Sequence, residues 1–282
     1  MLLVSQCLIE LLLYGMLGKS KKMAEPVYPP EVLSDIERKY SSSIESLKEN
    51  HLWLVSVFAE KLLEQEARTY LLQGVCRRAG IIIKCCKNIF ETFPPNRTEL
   101  LSSDELDNIN INLHAYMINL YGLLDNLAWV YVIEHKITDL IKNKRSIGLF
   151  TKNTQKQLPK RLNDYLKLEP TKVWFKDYVQ DYRDALAHRI PLYIPPSTIL
   201  ESDSNKYSQL DKLGLDELLQ GNFDRMNELN SERDSLTSIC AVFSHSTYNN
   251  QSRPLILHVQ IVSDLMTVLE FIKIYTDSFH EK

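Results

Sequence analysis

A run of apolar residues at helical spacing in the middle of the chain is the feature that most constrains its fold. The apolar positions recur three or four residues apart: Met117, Leu120, Leu124, Leu127 and Tyr131. This spacing places them on one face of an α-helix. Just upstream, Ser102 or Ser103 precedes several acidic residues, which is a helix-start signal. The sequence therefore predicts a long amphipathic helix from this point to about Ile141.

Other segments repeat the helical pattern, and prolines separate them. The first such region, about 32–93, is predicted to be two helices or one long helix with a break. Pro94 and Pro95 end it. The predicted helices besides the central one cover about 32–63, 67–93, 154–168, 170–188 and 263–279. Gly122 lies inside the central helix, where Gly costs about 1 kcal/mol relative to Ala. We therefore expect a close helix crossing at Gly122.

Two regions depart from the helical pattern. "IPLYIPPSTI" is expected to be extended, and the acidic stretch from Glu201 to Asn230 to be loop with a helix or two. "SICAVFSH" and "RPLILHVQI" flank the turn-rich "STYNNQS", which predicts a β-hairpin. Only eight glycines occur in 282 residues, which argues against all-β architectures with many tight turns. The predicted fold class is all-α, a helical bundle of long helices with a small C-terminal β-hairpin.

Charge is unevenly distributed, although the formal net charge is only −3. Between Lys136 and Lys176, eleven Lys or Arg residues stand against three acidic residues. Between Glu201 and Asp234 the balance is reversed, with nine acidic residues against four basic ones. The surface potential is therefore expected to be asymmetric, and the basic tract could attract an anionic partner. A solvated lysine-rich face is the alternative interpretation.

The five cysteines form no CxxC pair and have no His at metal-ligand spacing. They are expected to be reduced thiols, mostly in apolar surroundings, in an intracellular protein. Neither GxGxxG nor GxxxxGK[ST] occurs, so no nucleotide loop is predicted. The sequence predicts no metal site and no cofactor.

The first 23 residues contain an apolar run that lysines follow and Glu10 interrupts, unlike a secretory signal. At about 17 residues the run is marginal for spanning a bilayer. We expect residues 1–22 to be a poorly integrated amphipathic helix or an N-terminal extension ahead of a more natural start at Met23, with a membrane anchor as the alternative. Residues 23–282 are then one helical domain, cytoplasmic and without stable membrane association.

The stretch "KDYVQDYRDALAHRIPLY", Lys176 to Tyr193, carries the main functional candidates. Asp184 and His188 lie four residues apart and face the same way on a helix, whereas Arg183 lies about 140° around from His188. All three would converge only if the final turn unwound, and Pro191 makes such unwinding plausible. The macrodipole at the helix C-terminus and a neighbouring Asp both favour the imidazolium form of His188.

An Arg that grips a phosphate beside a His that exchanges protons is suited to cleaving RNA without a metal. The 2′-hydroxyl would attack the adjacent phosphate, with His188 as acid or base and Arg183 stabilising the charge on phosphorus. Lys144, Arg145 and Arg189 are candidate phosphate- or RNA-binding residues. Asp125, on the central helix, is a candidate supporting acid that would orient His188 or Arg183. A partly buried structural carboxylate is the alternative for Asp125.

Arg183-Asp-Ala-Leu-Ala-His188 resembles the Rx4-6H motif of the HEPN-domain superfamily, with a polar residue directly after the Arg. Asp184 stands where that family frequently has Asn. The resemblance covers about residues 104–195 and includes the all-helical setting and the acid at Asp125. It implies a small helical bundle that pairs as a homodimer and brings two motifs into one cleft. It also implies a metal-independent endoribonuclease of toxin, phage-defence or RNA-processing systems, with RNA as partner and an antitoxin or other protein as a further one.

Two other functions stay open. The same motif could belong to a non-catalytic HEPN-like module that binds nucleotide or protein, in which case internal salt bridges would occupy Arg183 and His188. The chain could instead be an unrelated helical interaction protein, in which case Arg183 would point to bulk solvent. A helix-end salt bridge from Arg183 to Asp184 or Asp181 with a capping His188 is the purely structural interpretation. For Trp174, Phe175, Tyr178 and Tyr182, core packing is favoured over a base-stacking surface.

Overall fold

The computed structural model describes residues 27–141, 143–245 and 254–281, apart from the side chain of Arg145. Helices dominate this part of the chain, which confirms the predicted fold class. The longer helices are α1 (Pro30–Trp53), α4 (Arg77–Thr92), α5 (Ser103–Glu134), α10 (Ser204–Leu219), α11 (Phe223–Asp234) and α12 (Leu257–Ser278). The shorter ones are α2 (Ala59–Lys61), α3 (Gln65–Thr69), α6 (Lys152–Gln155), α7 (Lys160–Lys167), α8 (Glu169–Val173) and α9 (Asp181–His188).

Helix α5 is the predicted central helix, and its buried face lies in the main core. The five apolar residues that predicted it, from Met117 to Tyr131, are all buried. Ser102 is the N-cap: its hydroxyl accepts from the amide of Glu105, whose carboxylate accepts from the amide of Ser102. This reciprocal capping box satisfies two backbone donors that a helix start leaves unpaired. Helix α4 packs along α5, and α12 packs against α1.

The end of α5 differs from the prediction, because the helix stops at Glu134 rather than near Ile141. Lys136 adopts a left-handed conformation with φ 54°. Its amide donates to Ile133, and the amide of Ile137 donates to Val132. This is a Schellman ending, which usually has Gly at the left-handed position. With Lys there, the sequence carries no stop signal.

The first helical region is broken rather than continuous. Helix α1 continues through a π-helical turn (Leu54–Phe58) into α2, and the backbone becomes extended at Leu62. Helix α3 then continues through a second π-helical turn (Tyr70–Cys76) into α4. The carboxylate of Glu134 accepts hydrogen bonds from the amides of Leu63 and Glu64 at the break. The two-helix alternative is therefore the observed one.

The segment that leads to the motif consists of short helices. Helices α6 and α7 replace the single helix predicted over 154–168: α6 ends at Gln155, and Pro159 is the N-cap of α7. Helix α8 runs through a third π-helical turn (Trp174–Gln180) into α9. Helix α9 ends at His188, as predicted, and the chain then becomes extended.

A small antiparallel sheet forms after the motif. Strand β4 (Val242–His245) pairs with β1 (Leu192–Tyr193) and with β5 (Leu255–Ile256). The predicted hairpin is the β4–β5 pair, and its turn lies outside the described residues. Helix α12 begins at Leu257, six residues before the predicted start at Ser263. The β-branched run there indicated a strand, but buried contacts of His258 fix the first helical turn instead.

The acidic stretch is more ordered than predicted. Strands β2 (Thr198–Ile199) and β3 (Thr237–Ser238) pair at the base of a helical hairpin made by α10 and α11. Its small core consists of Leu210, Leu229 and Leu236 with Tyr207 packed against them, separate from the main core. The stretch contains two helices, as the prediction allowed, and they occupy most of it.

One buried carboxylate ties the motif region to the rest of the bundle. Asp264 on α12 is fully buried and accepts hydrogen bonds from the Trp174 indole at 2.8 Å and the Tyr178 hydroxyl at 2.7 Å. The Tyr116 hydroxyl and the Gln260 amide also donate to it. Burial raises the pKa of Asp264 to about 6, although these hydrogen bonds act to lower it. The predicted aromatic core cluster is confirmed, since Trp174, Phe175, Tyr178 and Tyr182 are all buried.

Two further observations concern the described residues. None of their helices is both long enough and apolar enough to cross a membrane. The cysteines among them, Cys76, Cys85, Cys86 and Cys240, are buried free thiols, as expected. The predicted N-terminal extension, residues 1–22, lies outside the described residues.

Candidate phosphate-binding site

Arg183 lies on α9 and faces the central helix α5. Its guanidinium carbon lies 3.9 Å from the centre of the Tyr121 ring, a cation–π contact. Its Nη1 pairs with Asp184 Oδ1 at 2.9 Å, and its Nε is buried without a hydrogen-bond partner among the described residues. The side chain is only 25% exposed. Arg183 is thus a positioned cation and does not project into bulk solvent.

Asp125 lies one turn along α5 from Tyr121 and is partly buried, as predicted. Burial raises its pKa to about 6, while the positive charges of Arg183 and Arg78 act in the opposite direction. Asp125 thus lies within electrostatic range of Arg183, and its supporting role stays a prediction. A carboxyl group with this pKa changes its charge near neutral pH, so the net charge of the site depends on pH.

The loop after α5 packs against this site. A Cβ atom at Gly148 would lie 3.5 Å from Asp125 Oδ1. Phe150 stacks on Phe175 with ring centres 3.7 Å apart, and Phe175 stacks in turn on Tyr121 at 5.7 Å. These contacts hold the loop beside Arg183. Lys144 is exposed on the same loop, whereas the side chain of Arg145 lies outside the described part of the structure.

His188 is the last residue of α9 and is exposed. Helix α9 does not unwind before it, because the amide of Arg189 still donates to the Ala185 carbonyl at 2.9 Å. The expectation of an unwound final turn is therefore wrong. Pro191 restricts the backbone of Ile190, which lies two residues after His188. The hydrogen bonding of the last helical turn is therefore intact. Arg183 and His188 consequently project in different directions within one chain.

Arg189 is exposed, and its side chain is paired with Asp181. Its Nη2 donates to Asp181 Oδ1 at 2.6 Å and to the Asp181 carbonyl at 3.0 Å. The other oxygen, Oδ2, lies 2.8 Å from Nε2 of the buried His245 on β4. Partial burial acts to raise the pKa of Asp181, but the hydrogen bonds from Arg189 and His245 lower it below its ordinary value. Arg189 is thus less available to a ligand than the sequence suggested.

Arg78 on α4 packs against α5 next to the Tyr121 position, and the sequence did not indicate it. Its Nε donates to Asn126 Oδ1 at 2.8 Å and its Nη1 to Asn119 Oδ1 at 3.1 Å. The guanidinium lies directly over Gly122, where a Cβ would be 2.5 Å from its Cζ. The absence of a side chain at Gly122 thus makes room for the Arg78 guanidinium. The sequence had led us to expect a close helix crossing there. The signal in the sequence was the stripe of Asn119, Gly122 and Asn126, three and four residues apart in the more apolar half of the helix.

A shallow surface depression lies elsewhere, around the end of α4 and the start of α5. Its lining consists of Glu91, Thr92, Pro94, Arg97, Glu99, Asp104, Glu105 and Asn108. Arg97 there forms a bidentate pair with Glu105, at 2.7 and 2.9 Å, and donates to three backbone carbonyls. Since its cation is fully engaged, this depression offers less for an anion than the Arg183 site.

Among residues 27–141, 143–245 and 254–281, no three His, Cys, Asp or Glu side chains are grouped so that they could hold a metal ion. Comparison with known proteins found no family model that matches the chain, no matching curated protein and no matching solved structure.

Proposed function

We propose that this chain is a HEPN-like, metal-independent endoribonuclease that acts as a cytoplasmic homodimer. The observation that carries the proposal is the placement of Arg183, stacked on Tyr121 and largely buried, five residues before the exposed His188. A fixed guanidinium binds phosphate with little loss of side-chain entropy. His188 is exposed, and an imidazole can act as a general acid or base toward a bound phosphate. The combination meets the chemical needs of RNA transesterification.

In the proposed reaction the 2′-oxygen of one nucleotide forms a bond to the adjacent phosphorus and the bond to the 5′-oxygen breaks. The 2′-hydroxyl loses its proton to a base, and the departing 5′-oxygen gains one from an acid. His188 takes one of these roles, and Arg183 stabilises the added negative charge on the phosphate oxygens. The products are a 2′,3′-cyclic phosphate and a 5′-hydroxyl end.

A second copy of the chain supplies what one copy lacks. Because α9 stays helical to its end, Arg183 and His188 of one chain project about 140° apart. Two copies related by a twofold axis can place Arg183 of one chain opposite His188 of the other. The motif is then complete only in the dimer.

The decisive experiment incubates the purified chain with single-stranded RNA in EDTA. We expect cleavage to 2′,3′-cyclic phosphate ends, and His188→Ala to lose roughly 10²- to 10⁴-fold in rate. His280→Ala is the matched control, because His280 is exposed near the other end of the chain. The proposal fails if the wild type leaves RNA intact with and without metal, or if His188→Ala cleaves like the wild type.

Mixing Arg183→Ala with His188→Ala tests the dimer. Half of the re-equilibrated dimers are mixed, and each has one intact composite site, so about a quarter of wild-type activity should return. Activity that stays absent in mixtures shown to exchange subunits would contradict a site shared between copies.

A specific observation favours one alternative, a non-catalytic module that binds nucleotide or protein. The ion pair between Arg183 and Asp184 satisfies part of the arginine's charge inside the chain. Such a module would bind RNA or nucleotide through Arg183 without cleaving it. RNA binding that survives in the absence of any cleavage would establish this alternative.

A further inference from the structure

Arg78 is held in place by neutral groups alone. The two acceptors of its Nε and Nη1 are side-chain amide oxygens. The amide nitrogen of Asn119 donates to the Ala115 carbonyl at 2.7 Å, which orients its oxygen toward Arg78. Among the described residues no carboxylate lies within 4.0 Å of the Arg78 guanidinium, and its Nη2 makes no hydrogen bond. Its charge is therefore fixed in position but not neutralised by a direct partner.

Two glycines make room for this arrangement. A Cβ at Gly122 would lie 2.5 Å from the Arg78 Cζ, and a Cβ at Gly74 would lie 2.8 Å from the Asn126 Cγ. Gly is unfavourable inside a helix, yet each occurs where the arginine or its amide acceptor crosses close to the backbone. The local structure is thus organised around the position of Arg78.

Arg78 and Arg183 approach the same part of α5 from different helices. Arg183 covers Tyr121 and Arg78 covers Gly122, which are successive positions about 100° apart around the helix. Asp125 lies four residues after Tyr121 and three after Gly122, which is one turn further along α5. Both arginines act on its carboxyl group. Asp125 is therefore within electrostatic range of both guanidinium groups.

We propose that Arg78 is the second arginine of the phosphate-binding site, and that it and Arg183 together hold one RNA phosphate group. Two planar guanidinium groups that approach from separate directions can each direct parallel N–H donors at phosphate oxygens. The free Nη2 edge of Arg78 supplies donors that the fold does not use. This assignment depends on the proposed function for the identity of the ligand as RNA.

The test measures binding separately from cleavage, with a fluorescent 2′-fluoro-substituted RNA oligonucleotide that has no attacking 2′-hydroxyl. Full-length wild type, Arg78→Gln and Gly122→Ala are titrated at several salt concentrations. Arg77→Gln is the matched control, because Arg77 is the exposed neighbour of the partly buried Arg78. Gly122→Ala keeps the arginine but displaces its guanidinium, and Ala is the better helix former.

Arg78→Gln should weaken RNA binding about 10-fold or more, as expected for loss of charge-assisted hydrogen bonds. The slope of log affinity against log salt should fall by about 0.7, the value for one phosphate contact on a single strand. Gly122→Ala should weaken binding in the same direction, and Arg77→Gln should bind like the wild type. Melting curves verify that each variant is folded.

If folded Arg78→Gln and Gly122→Ala both bind like Arg77→Gln while wild-type binding depends on Arg183, the assignment of Arg78 is overturned and the proposed function stands. If the wild type binds no RNA, both fail together. A second arm titrates a nucleoside monophosphate in place of RNA. Arg78-dependent binding of the mononucleotide alone would overturn RNA as the ligand.

Discussion

The guanidinium of Arg183 and the carboxylate of Asp184 form an ion pair, 2.9 Å between Nη1 and Oδ1, although the residues are adjacent in one helix. Adjacent side chains on a helix normally point away from each other. Here Arg183 is turned toward the Tyr121 ring, and Asp184, 35% exposed, reaches the outer edge of the same guanidinium. Any phosphate that binds Arg183 must compete with this carboxylate.

Replacing Asp184 with Asn should therefore raise RNA affinity and keep or raise cleavage. The amide retains the shape of the carboxylate but removes the competing charge and the repulsion of phosphate. Under the proposed function, the change also moves the site toward the residue frequent in HEPN domains. Affinity for the non-cleavable oligonucleotide and the cleavage rate are the two measurements. Weaker binding by Asp184→Asn would mean that Asp184 positions Arg183 rather than opposing its ligand.

Asp125 should make RNA binding depend on pH. Its pKa of about 6 means that it gains negative charge as pH rises from 5 to 7, which weakens phosphate binding at the neighbouring arginines. Asp125→Asn should remove this loss and bind RNA roughly 3-fold to 10-fold more tightly than wild type at pH 7.5, with a smaller difference at pH 5. Fluorescence anisotropy measures the RNA affinity of both proteins at both pH values. If the ratio of the RNA affinities of Asp125→Asn and wild type does not change with pH, Asp125 is excluded from the site.

The loop that carries Lys144 should contribute longer-range attraction. Lys144→Glu combined with Arg145→Glu should weaken RNA binding and reduce its salt dependence, because ionic contacts release counterions. The control is Lys212→Glu combined with Lys273→Glu, an equal change in net charge at exposed positions on α10 and α12. Equal loss of affinity in both double variants would show that only the total charge matters.

The central helix shows what local sequence can determine. Its start depends on Ser102 and Glu105, three residues apart, and its buried face on a repeat of three and four residues, so both were predictable. Its end depends on Lys136 in a left-handed conformation, for which local sequence gives no preference. The early start of α12 depends on His258 contacts with residues more than 160 positions away.

The candidate site likewise contains residues that local sequence could predict and residues that it could not. Arg183 and Asp184 are neighbours in sequence, and the helical turn alone brings Asp125 onto the same face as Tyr121, so these were predictable candidates. Arg78 joins them only because α4 packs along α5, and its two acceptors lie 41 and 48 residues away in sequence. The tie between Asp181 and His245 spans 64 residues. Both contacts arise from tertiary packing, which single-residue patterns do not encode.

Asp264 should be essential for stability. Removing its carboxylate leaves the Trp174, Tyr178 and Tyr116 donors buried without an acceptor, and an unpaired buried polar group is costly. Asp264→Ala should lower the free energy of unfolding by about 3 to 5 kcal/mol. Asp277→Ala, an exposed change on the same helix, should change it by less than about 0.5 kcal/mol. Urea titrations of both variants give the comparison; similar midpoints would show that the network contributes little.

His258 should make stability depend on acid pH. It is fully buried, its Nε2 donates to the Phe93 carbonyl at 2.6 Å, and its Nδ1 accepts from the Tyr28 hydroxyl at 2.9 Å. This pairing requires the neutral ring, and burial lowers the pKa of His258 from 6.5 to about 4.

Because the folded pKa is the lower one, the unfolded chain binds the proton first as pH falls. The stabilisation from the neutral ring is therefore complete above pH 6.5 and is lost progressively as pH falls toward 4, by about 2 to 3 kcal/mol between pH 7.5 and pH 4.5. Asp264 and Asp125 have raised pKa values and act in the opposite direction over much of this range. The informative quantity is thus the difference in unfolding free energy between wild type and His258→Gln. That difference should shrink by about 2 to 3 kcal/mol at the lower pH, and a constant difference would mean that His258 does not titrate on unfolding.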